Sequence, residues 1–413
     1  MFKQFRLIST VHRIGYLKHF STRTTPNVWV VTDGGIENTL QAMALGKQLA
    51  GSNQLSSSFK LKTMVASKKL QVFPAILQKF LVNWSASKHK ADTSNDLPWY
   101  LSTSDEALDD SKPDYIVSSG QDAIPACLHL SKANSNRKCF SVYVGYPGIP
   151  FINFDQVVLP KYEANAKMAA LGPLARQKNG IITPAPLLDT FPGPLPALDQ
   201  MIPGSFKKGY SAVIIGGHSP ICRWYSEDAV TLADNIKRMV QNLGDKVVVV
   251  FTDRTPTMVK EKLTQKIEES IKASEESVVI WDSTKQTSTA DKINTYESII
   301  QNSQRVVLTA DLDYACAHAA SKGKPVYIAF NGQARSYLAH FHRWLLDTHL
   351  TKKLRLDRTK HKTNEAKDPY SYLGDQTTWG NASREFQMKN TMSYVKKEIE
   401  EIREEKVTGK RRK

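Results

Sequence analysis

The chain has 413 residues, 41% of them hydrophobic and 23% charged, which is ordinary globular composition with enough length for two hydrophobic cores. Its net charge is +16, yet residues 1–25 carry five basic and no acidic side chains and residues 351–413 carry 17 basic and 10 acidic, so residues 26–350 keep only +4. A nucleic-acid binder carries its basic stripe on the folded body, so this distribution speaks against DNA or RNA as the main partner.

No apolar run approaches the ~18 residues that span a bilayer. Cys127, Cys139, Cys222 and Cys316 are scattered in apolar surroundings without C-x-x-C spacing, which implies buried thiols and neither a zinc site nor a disulfide framework. No metal and no cofactor is implied.

In chain order, residues 1–25 have the composition of a mitochondrial presequence: basic, acid-free and hydroxyl-rich, with Leu7, Val11 and Ile14 on one helical face. The alternative is a disordered basic tail. Val28–Val31 then reads as a strand, Asp33-Gly34-Gly35 as a tight turn, and Leu40, Met43, Ala44 and Leu49 as the inner face of a helix that Gly51 caps. Residues 113–132 repeat that plan, and 139–145 and 154–160 read as further strands.

Six prolines fall within residues 184–203, a density that no helix or central strand survives, so this stretch is expected to link two domains. A second strand–helix series follows: 210–220, a helix from about Ser226 to Leu243, 246–256, a helix near 257–273, 277–282 and 305–311. Alternating strands and helices imply an α/β protein with mostly parallel sheets. The expected division is a presequence (1–25), an N-terminal Rossmann-like domain (26–185), a linker (186–209), a C-terminal Rossmann-like domain (210–350) and a charged tail (351–413). Within the tail, residues 393–406 are expected to form a helix with i,i+4 pairs such as Lys396–Glu400. The tail reads either as solvated or as a contact for an acidic partner or an anionic membrane.

Candidate ligand residues sit on the loops after the strands. Gly34 and Gly35 let the backbone turn into a helix whose free N–H groups suit an anion, and Asp33 beside them is the candidate base. Gly216 and Gly217 end one strand of the second series, followed by Arg223. Thr252 and Arg254 follow the next strand, and Thr309 and Asp311 a later one. Arg223 and Arg254 are either exposed loop charges or bidentate anion contacts. Parallel strands would bring these loops to one sheet edge, where open α/β sheets bind ligands.

Six segments occur in order: VWVVTDGGIEN, PDYIVSSGQDAIPA, FDQVVLP, VIIGGHSPICRW, FTDRTP and TADLDYACAHAASKGKPVYIAF. Together they resemble the elongated-mitochondria family over residues 27–348. The resemblance implies a GT-B-like architecture, two Rossmann-like domains facing across a cleft as in nucleotide-sugar glycosyltransferases. It also implies a role in mitochondrial organisation or fission, through a mitochondrial protein partner or a dynamin-related GTPase on the outer surface. The alternative is a glycosyltransferase using a nucleotide sugar. A third reading is an RNA-associated matrix protein using its basic tail.

One departure from the family pattern stands out on the last of these segments. The family's helix glutamate, placed like a ribose-binding acid, is His318 here, which reads either as a ligand residue or as a packed helix residue. Asp311 and Asp313 are expected to cap the helix that begins there and to repel a diphosphate. A presequence would put the protein in the matrix, out of reach of a GTPase on the outer surface.

Overall fold

A computed structural model describes residues 25–52, 54–88, 97–104, 112–134, 139–165, 179–190, 198, 201–270, 277–354 and 379–409. The presequence expectation lies, but for Thr25, outside the described residues.

The first sheet has seven strands: β1 (Val28–Thr32), β2 (Phe59–Ala66), β3 (Leu101–Thr103), β4 (Tyr115–Ser119), β5 (Phe140–Val144), β6 (Gln156–Pro160) and β7 (Gly180–Thr183). Their order across the sheet is β3-β2-β1-β4-β5-β6-β7, with only the β2–β3 pair antiparallel. Helices α1 (Ile36–Ala50), α2 (Lys68–Gln71), α3 (Ala75–Lys88) and α4 (Ile124–Ala133) connect them.

The second sheet is wholly parallel: β8 (Ser211–Ile215), β9 (Val247–Phe251), β10 (Val278–Asp282), β11 (Arg305–Thr309), β12 (Val326–Ala329) and β13 (Lys352–Lys353), ordered β10-β9-β8-β11-β12-β13. Its helices are α5 (Ser226–Leu243), α6 (Thr257–Ser270), α7 (Thr289–Asn302), α8 (Asp313–Ser321) and α9 (Ser336–Asp347), and α10 (Ala382–Phe386) and α11 (Met388–Thr408) close the chain.

Local chemistry explains the central strands. β1, β8 and β9 read VWVVT, SAVII and VVVVF and are buried along their whole length, the continuous apolar pattern of strands covered on both faces. Gly51 ends α1 in the left-handed conformation at φ 66°, and its N–H donates to Lys47 O. Each sheet reverses its winding once, between β1 and β4 and between β8 and β11. The carboxyl ends at these two points face each other across a cleft, so the molecule has the GT-B arrangement expected from the sequence.

The end of the chain differs from the solvated tail that its composition suggested. Trp379 packs edge-on to Tyr327 of the second domain and Phe386 lies against Trp344. The chain then crosses to the first domain, where α11 packs on α1 and buries Met392, Val395 and Ile399. Arg403 pairs with Asp114 at 2.7 Å and its guanidinium lies 4.5 Å from the Tyr115 ring centroid. Lys406 reaches both the Cys139 carbonyl and Asp155, so α11 closes the edge where β4, β5 and β6 begin. The expected Lys396–Glu400 pair is present at 3.8 Å on the outer side. Apolar residues at 392, 395, 399 and 402 form a stripe inside a highly charged sequence, and burying that stripe outweighs the solvation of its neighbours.

The proline-rich segment is likewise less free than its composition suggested. Leu187 and Leu188 are buried in the large apolar cluster, and Asp189 forms an ion pair with Lys47 of α1. The four cysteines are all buried, and burial pushes their thiols up, Cys127, Cys139 and Cys222 to about 12.

Candidate functional site

The cleft between the domains holds about 520 Å3. The loops after β1, β4, β5 and β6 form one wall, and the loop after β9, α7, the start of α8 and Tyr337 of α9 form the other. Its charge is the first surprise. Asp33, Glu37, Asp122, Glu163, Asp253 and Asp313 line it, against Arg254 and Lys292. Both cations are already engaged by the protein itself.

Asp33 follows β1. Its carboxylate accepts from Gly35 N at 3.0 Å and from Asn38 Nδ2 at 3.2 and 3.0 Å. It lies so close against Gly120 that a Cβ there would meet Asp33 Oδ2 at 2.0 Å, and Gly120 has φ +95°. Only glycine fits that position without strain. Burial pushes the Asp33 carboxyl up, the Gly35 and Asn38 donors pull it back, and Asp122 and Asp253 push it further.

Each domain sends a carboxylate into a helix N-terminus of the other. Ile36 N, the first amide of α1, donates to Asp253 Oδ2 at 2.9 Å. Ala315 N, in the first turn of α8, donates to Glu37 Oε1 at 3.2 Å. These amides have no partner within their own helices, so each carboxylate takes the position a bound anion would take. Arg254 completes the second contact, with Nη1 3.2 Å from Glu37 Oε2 and Nη2 3.5 Å from Asp311 Oδ2. Lys292 completes the first, bonded to Asp253 at 2.9 Å and to Gly34 O at 3.0 Å. Two hydroxyl contacts flank them, Thr63 to Thr289 at 2.8 Å and Tyr162 to Asp313 at 3.0 Å.

Burial pushes the Glu37 carboxyl up to about 7, Arg254 holds it back, and Asp313 and Asp311 push it further. Three carboxylates, Glu37, Asp311 and Asp313, share the one arginine. The same neighbours, Glu37 first, hold the Arg254 guanidinium above its ordinary value against the opposing effect of burial.

Of the residues singled out from sequence, Asp33, Gly34, Gly35, Thr252 and Arg254 line this cleft. Gly216, Gly217, Thr309 and Asp311 lie behind it and satisfy one another. Gly216 N donates to Thr309 Oγ1 and Gly217 N to Asp311 Oδ2, both at 2.9 Å. A Cβ on Gly216 would meet Asp311 Oδ2 at 2.0 Å, and one on Gly217 would meet Arg254 O at 2.2 Å, so these glycines make room for the protein's own groups. The Thr252 hydroxyl is turned inward to Ile215 O.

One expectation is corrected, and for Arg223 and His318 the structure favours the non-ligand alternative over the ligand role. Asp311 does not cap α8. Its buried carboxylate accepts from Gly217 N and from Trp224 Nε1 at 2.8 Å, because the α8 amide at Ala315 is already taken by Glu37. Arg223 is exposed and is not among the lining residues, since its neighbours Cys222 and Trp224 turn inward and leave it outward. His318 is fully buried on the far face of α8, stacked between Tyr296 and Tyr314, with Nε2 2.7 Å from Glu297 Oε1 but not aligned for a hydrogen bond. Burial opposes it, yet His318 and Lys322 hold the Glu297 carboxyl down at about 2. His342 of α9 is buried as well and donates from Nε2 to Ala310 O at 2.6 Å. Among the described residues no cluster of His, Cys, Asp and Glu is arranged to hold a metal.

Sequence reasoning missed Glu37, Asp253 and Lys292 as cleft residues. Glu37 stands inside VTDGGIEN and Asp253 inside FTDRTP, so position in shared motifs was the available signal.

The profile of the family described as mitochondrial fission ELM1 matches residues 35–377. The chain belongs to that family. A relative is the uncharacterized protein RP120 of Rickettsia prowazekii (strain Madrid E), 25% identical over 328 residues that cover 74% of this chain and 83% of that protein. Among solved structures, the chain is similar to UDP-GlcNAc 2-epimerase from Neisseria meningitidis bound to UDP-GlcNAc, at 9% identity and TM-score 0.42, covering 91% of this chain and 99% of that one. It is also similar to the glycosyltransferase SnogD from Streptomyces nogalater, at 11% identity and TM-score 0.35, covering 92% and 97%.

Proposed function

We propose that this member of the ELM1 family works in mitochondrial organisation or fission through protein partners, on a two-domain scaffold whose anion position is filled by its own side chains. One observation carries this reading: the Glu37 carboxylate accepts from the α8 amide at Ala315 and pairs with Arg254. A nucleotide sugar would need those same donors for its diphosphate. It would also bring more negative charge into a cleft with six carboxylates and two committed cations.

The basic, acid-free N-terminus supports a matrix location. A direct contact with a dynamin-related GTPase requires the outer mitochondrial surface instead. Import of the full chain into isolated mitochondria separates the two: protease protection supports the matrix, and protease sensitivity supports the outer surface.

A second reading, a glycosyltransferase, is favoured by Asp33. Its raised carboxyl lines an open cleft and has the character of a general base. Calorimetric titration of the full chain with nucleoside diphosphates and nucleotide sugars decides between the readings. No heat up to about 1 mM ligand supports the partner-binding scaffold. Micromolar binding that Arg254→Ala abolishes would overturn it in favour of the transferase.

A further inference from the structure

Half of the large apolar side chains that are exposed among the described residues fall within one stretch, residues 72–99. Val72 is 81% exposed, Ile76 56%, Phe80 60% and Trp84 61%, with Phe73 and Leu77 also exposed. Residues 76, 77, 80 and 84 recur at three- and four-residue spacing, so they share one face of α3, and Val72 and Phe73 stand in the turn just before it. The opposite face is properly buried: Val82 and Ser85 turn inward, and α3 packs on α4. α3 is therefore a seated helix whose outer face is apolar where a surface helix is normally polar. Scattered exposed apolar residues need no explanation, but a contiguous face of this size does.

Charge says what covers it. From Asn38 to Ala91 the sequence has eight lysines and no acid, and from Ala123 to Phe154 it again has no acid. Lys68 and Lys69 are exposed at the start of the face, and Lys79 lies beside Phe80, its Nζ 5.7 Å from the ring centroid. Lys132 of α4 lies close enough to Lys79 that burial and this neighbour together lower its affinity for a proton. Tryptophan, phenylalanine and isoleucine beneath a fringe of lysines is the composition of a helix lying in a membrane interface. No helix among the described residues is long and apolar enough to cross a bilayer.

We propose that the outer face of α3, with the turn at Val72 and Phe73, docks on the surface of an anionic phospholipid bilayer. The apolar side chains enter the acyl boundary while Lys68, Lys69 and Lys79 meet lipid phosphates. Like charge opposes two other candidates for this face. A second copy would bring the same lysines against each other, and residues 1–24 carry basic side chains and no acid. The contact is independent of the cleft, and it moves the anionic-surface role suggested for the charged tail to the first domain.

Flotation of the full chain with vesicles tests this. The chain is expected to float with phosphatidylcholine vesicles holding about 30 mol % phosphatidylglycerol, and much less with phosphatidylcholine alone. Phe80→Ser with Trp84→Ser should lower the partition about tenfold or more. Lys68→Glu with Lys69→Glu should lower it by a similar factor, and added salt should weaken the wild type. All four side chains lie at the surface, and thermal unfolding of each variant serves as the folding control. Failure of the wild type to float with anionic vesicles overturns the proposal, as does flotation that both double variants leave unchanged. A self-association that Phe80→Ser with Trp84→Ser abolishes, without vesicle binding by the wild type, would also overturn it and assign the face to a second copy.

Discussion

The Glu37 carboxylate reaches across the cleft to the backbone N–H of Ala315, joining residues 278 positions apart in the sequence at 3.2 Å. With the Ile36–Asp253 contact it forms a reciprocal clasp in which each domain supplies the anion for the other's helix. The clasp holds the two switch points together.

The clasp should respond to pH through Glu37. Its carboxyl stands at about 7 in the folded chain against 4.5 for an ordinary glutamate, so between those values the folded chain holds a proton that the unfolded chain has released. That contribution is complete below pH 4.5 and is lost as pH rises through 7. Asp33 and Asp311 are raised in the same direction, so the isolating measurement is a difference. Urea unfolding at pH 5 and pH 8 should show the wild type losing on the order of 1–3 kcal/mol more than Glu37→Gln over that interval. Equal losses in both chains would mean that Glu37 does not titrate there.

Arg254 should behave as a structural residue. Removing it leaves Glu37 without its cation, and leaves Asp311 with only its neutral donors, Gly217 N and Trp224 Nε1 among them. Because Arg254 is itself 39% exposed, the loss is set below that of a fully buried pair, at about 2 kcal/mol. Chemical denaturation of Arg254→Ala reads this directly. An unchanged midpoint would indicate a side chain held ready for a ligand.

His318→Ala should destabilise by about 2–4 kcal/mol, since it opens a cavity between the Tyr296 and Tyr314 rings and removes one of the Glu297 partners. The variant should also be more acid-sensitive. Glu297 stabilises the fold above pH 4.5 and loses that effect as pH falls towards 2, so weakening its cation set shrinks the contribution. Acid titration followed by circular dichroism would show a midpoint at higher pH. A midpoint that stays put would remove the Glu297 coupling.

Ile399→Asp should disrupt the first domain although residue 399 lies near the chain end. Ile399 is fully buried against the core that α1 shares with α11. An unpaired charge there costs about 3 kcal/mol or more. Limited proteolysis should show the first domain opening before the second, and simultaneous cleavage of both would count against this coupling.

The elements legible in the sequence were those with local signals. The unbroken apolar run of β1, the inward face of α1 and the left-handed glycine at 51 are all properties of a few neighbouring residues. β2 was missed because FKLKTMVA mixes lysines into a strand only partly covered along its length. α3 was missed because its apolar residues point outward, so a pattern read for the core finds no helix. In the site, Asp311 looked like a helix cap because Asp313 and α8 are adjacent, whereas its partners Gly217 and Trp224 lie 94 and 87 residues away. Charge pairing across the cleft depends on which loops topology brings together, and no window of sequence holds both halves.

The return of α11 to the first domain has a consequence for how the protein is made. The first domain begins at residue 28 but takes part of its apolar wall from residues 392–399. During synthesis, domains otherwise fold from the N-terminus as they emerge. This one stays incomplete until residue 399 has left the ribosome, a delay that keeps it open to chaperones and to any machinery that must thread it unfolded.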